Sequence, residues 1–234
     1  MVNSNGPITL NGVGNNLTVN GAGSQINAYS LANVSATVAV IGGGVLNLTN
    51  RGSGSFLGSG NVTVSGTGSQ LNSDFIETGS GTLSITGGGV VKTTNDGGGA
   101  YVGGGGPVII SGTGSQWNST FINIGSGTGS LTIEGGGVVN GGGTSIGTFS
   151  GSNGSVTVSG SGSKLLTSAL CVGCGGQGVL TVNGGVTRSS GSTVGLDIWL
   201  TSGVTGTMTL TDTGTKWIDT SSFVSLGQNG VPQF

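Results

Sequence analysis

Short apolar–x–apolar triplets recur along almost the whole chain, each followed within a few residues by glycine. They fall at Leu17–Val19, Val38–Val40, Val62–Val64, Leu83–Ile85, Val108–Ile110, Leu131–Ile133, Val156–Val158, Leu180–Val182 and Met208–Leu210, mostly with Thr in the middle. Successive side chains of a strand point to opposite faces, so the outer two residues of each triplet are predicted to enter a core and the middle one to face water. Two further runs follow each triplet. The second run holds Ile26, Leu71, Trp117, Leu165 and Trp217 at one repeat position, with Val45, Val90, Val138 and Val186 expected there in the alternate halves. The third holds Ile122 and Ile124, Leu170 and Val172, and Val224 and Leu226, ending at Gly125, Gly173 and Gly227.

The runs are tied together by a longer repeat. Gly66–Asn72 reads GTGSQLN, Gly112–Asn118 GTGSQWN, Gly21–Asn27 GAGSQIN, Gly160–Leu166 GSGSKLL and Thr213–Ile218 TGTKWI, with starts about 45, 46, 48 and 52 residues apart. A fixed period over the full length means stacked structural units. The units span about 14–59, 60–105, 106–153, 154–204 and 205–234 of a single domain, 1–234. Each splits into two similar halves of roughly 23 residues with three strand-like runs. That arrangement predicts an all-β, right-handed parallel β-helix (a β-solenoid) of nine or ten coils. Coils about 4.8 Å apart would make a rod roughly 45 Å long with continuous inward columns. The GGG triplets at 42–44, 87–89 and 135–137 are expected to supply positive φ at corners. An antiparallel sandwich or propeller is the competing reading, and the similarity of the half-units argues against it.

Composition narrows the functional classes. Charged residues make up 5% of the 234, where an ordinary globular chain carries about 25%. Glycine accounts for 55 positions, yet Pro is only 3, mean hydropathy is +0.23 and the aliphatic residues are ordered into clusters, unlike a disordered tract. No Gly-X-Y period indicates collagen. The net charge is −2, histidine is absent, and Arg51, Lys92, Lys164, Arg188 and Lys216 lie far apart in sequence. Neither nucleic-acid binding by phosphate neutralisation nor a polybasic membrane contact is expected. No stretch is long and apolar enough to span a membrane as a helix, and MVNSNGPITL lacks the regions of a signal peptide.

VTVSGTGSQLN, GTGSLTIEGGGVV and FINIG resemble the passenger-associated repeats of bacterial autotransporters, and the resemblance runs from about residue 14 to 227. It implies a secreted, non-enzymatic rod that projects from the cell surface, structural or adhesive, with host-cell or matrix glycans or proteins as partners. Typical members also carry a signal peptide and a C-terminal barrel, so this chain is expected to be a fragment of such a protein or a repurposed relative. The two closely spaced cysteines, Cys171 and Cys174, resemble the family pattern.

Candidate chemistry is sparse. Cys171 and Cys174 form a CxxC with no third Cys or any His to complete a zinc site, which leaves a local disulfide or two free thiols at a β-corner. Gly173, Gly175 and Gly178 match a dinucleotide-binding pattern, but no helix is predicted to follow and glycine is common enough for chance matches. No cofactor, metal or catalytic set is assigned. Asp74 and Glu77 are the one close acidic pair outside the C-terminal segment, and a stray surface pair is the expectation. Asn95-Asp96-Gly97 is a turn signal. Outward Thr9, Thr18, Thr63, Thr132, Thr157, Thr181 and Thr209 form a single rank interrupted by Ala39, Ser84 and Ile109, which does not meet the paired ranks expected of an ice-binding face. In the extended last unit, alternation puts Asp197 and Trp199 outward together, a weak candidate patch for stacking on a sugar. Neither chain end shows a polar cap, which leaves homotypic end-to-end stacking into a filament as an alternative. A glycan-binding or glycan-cleaving β-helix, similar to a tailspike, is the second alternative.

Overall fold

The computed structural model describes residues 1–33, 35–49, 55–94, 99–194, 204–220 and 224–226. Its secondary structure is entirely strand, and the strand ladders are parallel. The apolar triplets form one ladder of nine strands, from Asn16–Asn20 to Thr205–Thr211. Leu17 aligns with Val38, Val38 with Val62, Val62 with Leu83, and so on to Met208. From Leu17 to Met208 the chain advances 191 residues in eight turns, about 24 per turn. The molecule is therefore a parallel β-solenoid. At about 4.8 Å per rung the ladder is about 38 Å long.

The second and third runs form two more ladders. Longer strands such as Gln116–Ser126 and Lys164–Val172 pass from one to the other, so the two share one sheet. Inward columns fill the interior. Val62, Val64, Leu83, Ile85, Val108 and Ile110 are buried in the first ladder, and Ile122, Ile124, Leu170 and Val172 in the third. Each turn leaves its apolar side open above and below, and only the next turn closes it.

The second ladder differs from the expected alignment by one residue. Leu71 pairs with Leu46 and Val91, and Trp117 with Val91 and Val139. Val45, Val90 and Val138 instead pair with Gln70, Gln116 and Lys164 and are half-buried on the outer side. Val186 likewise pairs with Lys164, and Thr187 takes the inward place. The cause is corner length. After Ser65 four residues turn the corner, Gly66–Ser69, whereas after Thr86, its partner on the next turn, only Gly87–Gly89 do so.

The two corners interlock. Ser69 Oγ donates to Ser65 O at 2.7 Å and accepts the Gly43 N–H of the preceding triplet at 3.0 Å. Ser115 repeats this with Ser111 O at 2.7 Å and Gly88 N at 3.1 Å, and Ser163 accepts Gly136 N at 3.1 Å. This explains the serine of GTGSQ: it is buried and ties each four-residue corner to the three-residue corner beneath it. Ser115→Ala leaves a half-buried acceptor, Ser111 O, and the Gly88 N–H without that partner. A loss of about 1–3 kcal/mol is expected in urea unfolding, and an unchanged midpoint would contradict the interlock.

Glycine has a second role that positive φ does not cover. The first two residues of the triplet, Gly87 and Gly88, have φ of 57° and 89°. The third, Gly89, is not in that region; a Cβ there would lie 2.2 Å from Val64 O. A column with the same property stands two residues before six of the inward triplets, at Gly60, Gly81, Gly106, Gly129, Gly154 and Gly178. At Gly60, Gly81, Gly106 and Gly129 the added atom would lie 1.9–2.2 Å from a carbonyl oxygen of the turn below. Ala36 heads this column. At the six glycines the walls of successive turns approach too closely for a side chain.

Candidate functional site

The most organised surface is the outer face of the second ladder. In most turns its strands carry asparagine at one outward position, and parallel register stacks these residues. Asn27 Nδ2 donates to Asn3 Oδ1 at 2.6 Å, Asn47 Nδ2 to Asn27 Oδ1 at 2.8 Å, and Asn72 Nδ2 to Asn47 Oδ1 at 2.8 Å. Gln25 Nε2 adds a bond to Asn27 Oδ1 at 2.8 Å. Lys92 takes the next place and breaks the run, leaving Asn72 Oδ1 buried without a partner. The ladder resumes where Asn140 Nδ2 donates to Asn118 Oδ1 at 2.6 Å. Asn27 and Asn47 each donate one N–H and accept at Oδ1 along the axis, which leaves each amide a second N–H.

The same face gathers basic residues. Lys92, Lys164, Arg188 and Lys216 all occupy exposed outward positions of this ladder. Among the described residues, no Asp or Glu stands at an outward position within the strands of this second ladder. Lys164 and Lys216 both pair with Val186, so they flank it on either side, and Arg188 lies two residues along that middle strand. The fifth basic residue, Arg51, lies outside the described residues.

Shallow depressions follow the corner where the second ladder meets the third. One of about 590 Å³ is bordered by Asn47, Asn72, Asp74, Lys92 and Thr94. A second, about 380 Å³, shares Lys92 and Thr94 and continues to Asn140 and Gly141. A third, about 350 Å³, shares Gly141 and reaches Thr167, Arg188, Ser190 and Thr220. Together they trace a groove along the axis, bordered by hydroxyl, amide and basic side chains.

Asp74 borders this groove and accepts a bond from Thr94 Oγ1 at 3.4 Å. Glu77 belongs to the exposed face of the third ladder, in register between Phe56 and Tyr101. The two acids thus serve different surfaces, and only Asp74 borders the groove. Tyr101 packs against Phe75 with ring centroids 5.3 Å apart. Among the described residues no group of three or more His, Cys, Asp or Glu is placed to hold a metal ion.

Cys171 and Cys174 are joined in a disulfide across Val172 and Gly173, with Cα atoms 5.8 Å apart. The N–H groups of Cys174, Gly175 and Gly176 converge on Gly147 O at 3.0, 3.2 and 3.0 Å, so the bridge lies in a corner already fastened to the turn below. Asp197 and Trp199, and the turn Asn95-Asp96-Gly97, lie outside the described residues. The threonine rank aligns as Thr18, Ala39, Thr63, Ser84, Ile109, Thr132, Thr157, Thr181 and Thr209. Thr9 is not part of it: strand Ile8–Leu10 pairs with Leu31–Asn33 in the third ladder.

The asparagine ladder and the basic face were not recognised in the sequence. Their signal is the residue that follows each inward second-run position, as in QIN, QLN, QWN and VVN. Aligning those positions across the corner-length difference brings Lys92 and Arg188 into the asparagine column. No family model matches the chain, and no curated protein or solved structure is detectably similar to it.

Proposed function

We propose that this chain is a non-enzymatic, extracellular rod of a bacterial surface protein, structural or adhesive, in the manner of an autotransporter passenger. The observation that carries the reading is the stack. Turn after turn repeats one cross-section, so added turns extend the body without changing its faces, which suits a stalk that holds a surface away from the cell. The Cys171–Cys174 disulfide supports an oxidising compartment, where such bonds persist. The weakly charged, hydroxyl- and amide-rich exterior and the passenger-like repeats support the same setting.

The test is accessibility on intact cells of the source bacterium. A membrane-impermeant biotin reagent or an antibody against the chain is expected to label it without lysis, and external protease is expected to remove that signal. Labelling only after lysis would overturn the proposal.

A further inference from the structure

The basic residues are distant in sequence and close in the fold. Lys164 and Lys216 stand two rungs apart, about 10 Å, and Arg188 lies on the rung between them. Lys92 is four rungs from Arg188 on the same column, about 19 Å. Between them the column carries Asn118, Asn140 and Leu166. Asp74 borders the groove on the Lys92 side; beside the other three cations stand Asp212, at the corner before Lys216, and Asp219, which Ser189 Oγ engages at 3.0 Å from the inward side of the strand.

We infer that this face binds an acidic polysaccharide lying along the rod axis. Its carboxylates meet Lys92, Lys164, Arg188 and Lys216, and its hydroxyls meet the amides and the Thr167, Ser190 and Thr220 hydroxyls of the groove. Three observations select this ligand class. The cations are separated by neutral hydrogen-bonding positions, matching a polymer whose carboxylates alternate with neutral hydroxyls along its length. Double-stranded DNA presents about one charge per 1.7 Å of axis, far denser than four cations on a rod of about 38 Å. Single-stranded nucleic acid is held largely by aromatic stacking, and among the described residues no aromatic side chain occupies an outward position of this ladder. Leu166 and Ile218 beside Arg188 offer apolar contact to the C–H faces of sugar rings. The unserved Asn72 Oδ1 marks where the amide ladder gives way to the first cation, at the junction of two parts of the groove.

The inference deepens the adhesive reading and rests on it only for its biological setting. It is tested on the purified full chain, so its failure leaves surface display untouched, and failure of surface labelling leaves the binding measurement standing. Polygalacturonate serves as the acidic probe, dextran as the neutral one and a single-stranded RNA oligonucleotide as the nucleic acid, each titrated by calorimetry. Polygalacturonate is expected to bind in preference to the other two and to weaken from about 50 to about 200 mM salt. Lys164→Gln/Arg188→Gln/Lys216→Gln is expected to weaken it roughly tenfold or more. Single Lys216→Gln is expected to weaken it less, and Glu134→Gln, on the first-ladder face, to leave it unchanged. All four side chains are exposed, and circular dichroism of each variant checks the fold. The inference is overturned by absence of polygalacturonate binding at low salt, by equal binding of dextran, by tighter binding of RNA, or by a folded triple variant that binds like the parent.

Discussion

Trp117→Ala is expected to destabilise the chain by about 3–5 kcal/mol, among the larger effects available to one side chain here. Trp117 is fully buried, in register between Val91 and Val139, so its indole fills space that the two valines cannot reach. Alanine removes the transfer free energy and leaves a cavity that two fastened ladders cannot collapse around. One term opposes the loss. Trp117 Nε1 is buried without a hydrogen-bond partner, a cost that truncation removes. Trp117→Phe separates the two contributions, because it keeps most of the ring and discards the orphan donor. It is expected to cost less than about 1.5 kcal/mol. Equilibrium urea unfolding reads both variants, and a Phe variant as unstable as the Ala variant would show that the packing argument is wrong. Each turn contacts only its neighbours, so the Ala variant is also expected to split one transition into two, as the halves on either side uncouple.

The second large effect is expected at Gly106. A Cβ there would lie 1.9 Å from Gly81 O and 2.6 Å from Gly79 O, atoms of the wall one turn below. Neither can retreat without parting the rungs that carry the inward Leu83–Val108 pair. Gly106→Val is expected to cost more than about 3 kcal/mol, beyond ordinary overpacking, and to lower the soluble yield. Its neighbour provides the control. Gly105 has φ 86° and nothing within 4 Å of a Cβ, so Gly105→Ala incurs only the left-handed backbone penalty of about 1–2 kcal/mol. If the two variants unfold at the same urea concentration, close approach is not what selects glycine at position 106.

The contrast between these two glycines bears on how much the sequence discloses. The triplets disclosed the stack, because period-two alternation at a 24-residue interval admits few other folds. They did not disclose the alignment of the second ladder. In VV pairs such as Val90-Val91 either residue can face inward, and the choice was decided by a corner one residue shorter than its partner. Glycine was legible as a corner residue, yet Gly81 and Gly106 are required by carbonyls that approach only after the turns have stacked. The basic face was hidden for the same reason: Lys92 and Arg188 are 96 positions apart in the chain and share one column. Surface chemistry in a solenoid is written across turns and becomes visible only when the register is known.

The alternation of corner lengths fixes the increment by which this molecule can grow or shrink. Excising a single winding would bring two corners of the same type face to face and strand a serine hydroxyl opposite the wrong backbone. Excising two consecutive windings before Asn183, where four-residue and three-residue corners alternate, restores this junction. Variants shortened or lengthened by genetic duplication should therefore differ by whole pairs, near 48 residues, and an odd-numbered splice should survive only where its seam has been rebuilt.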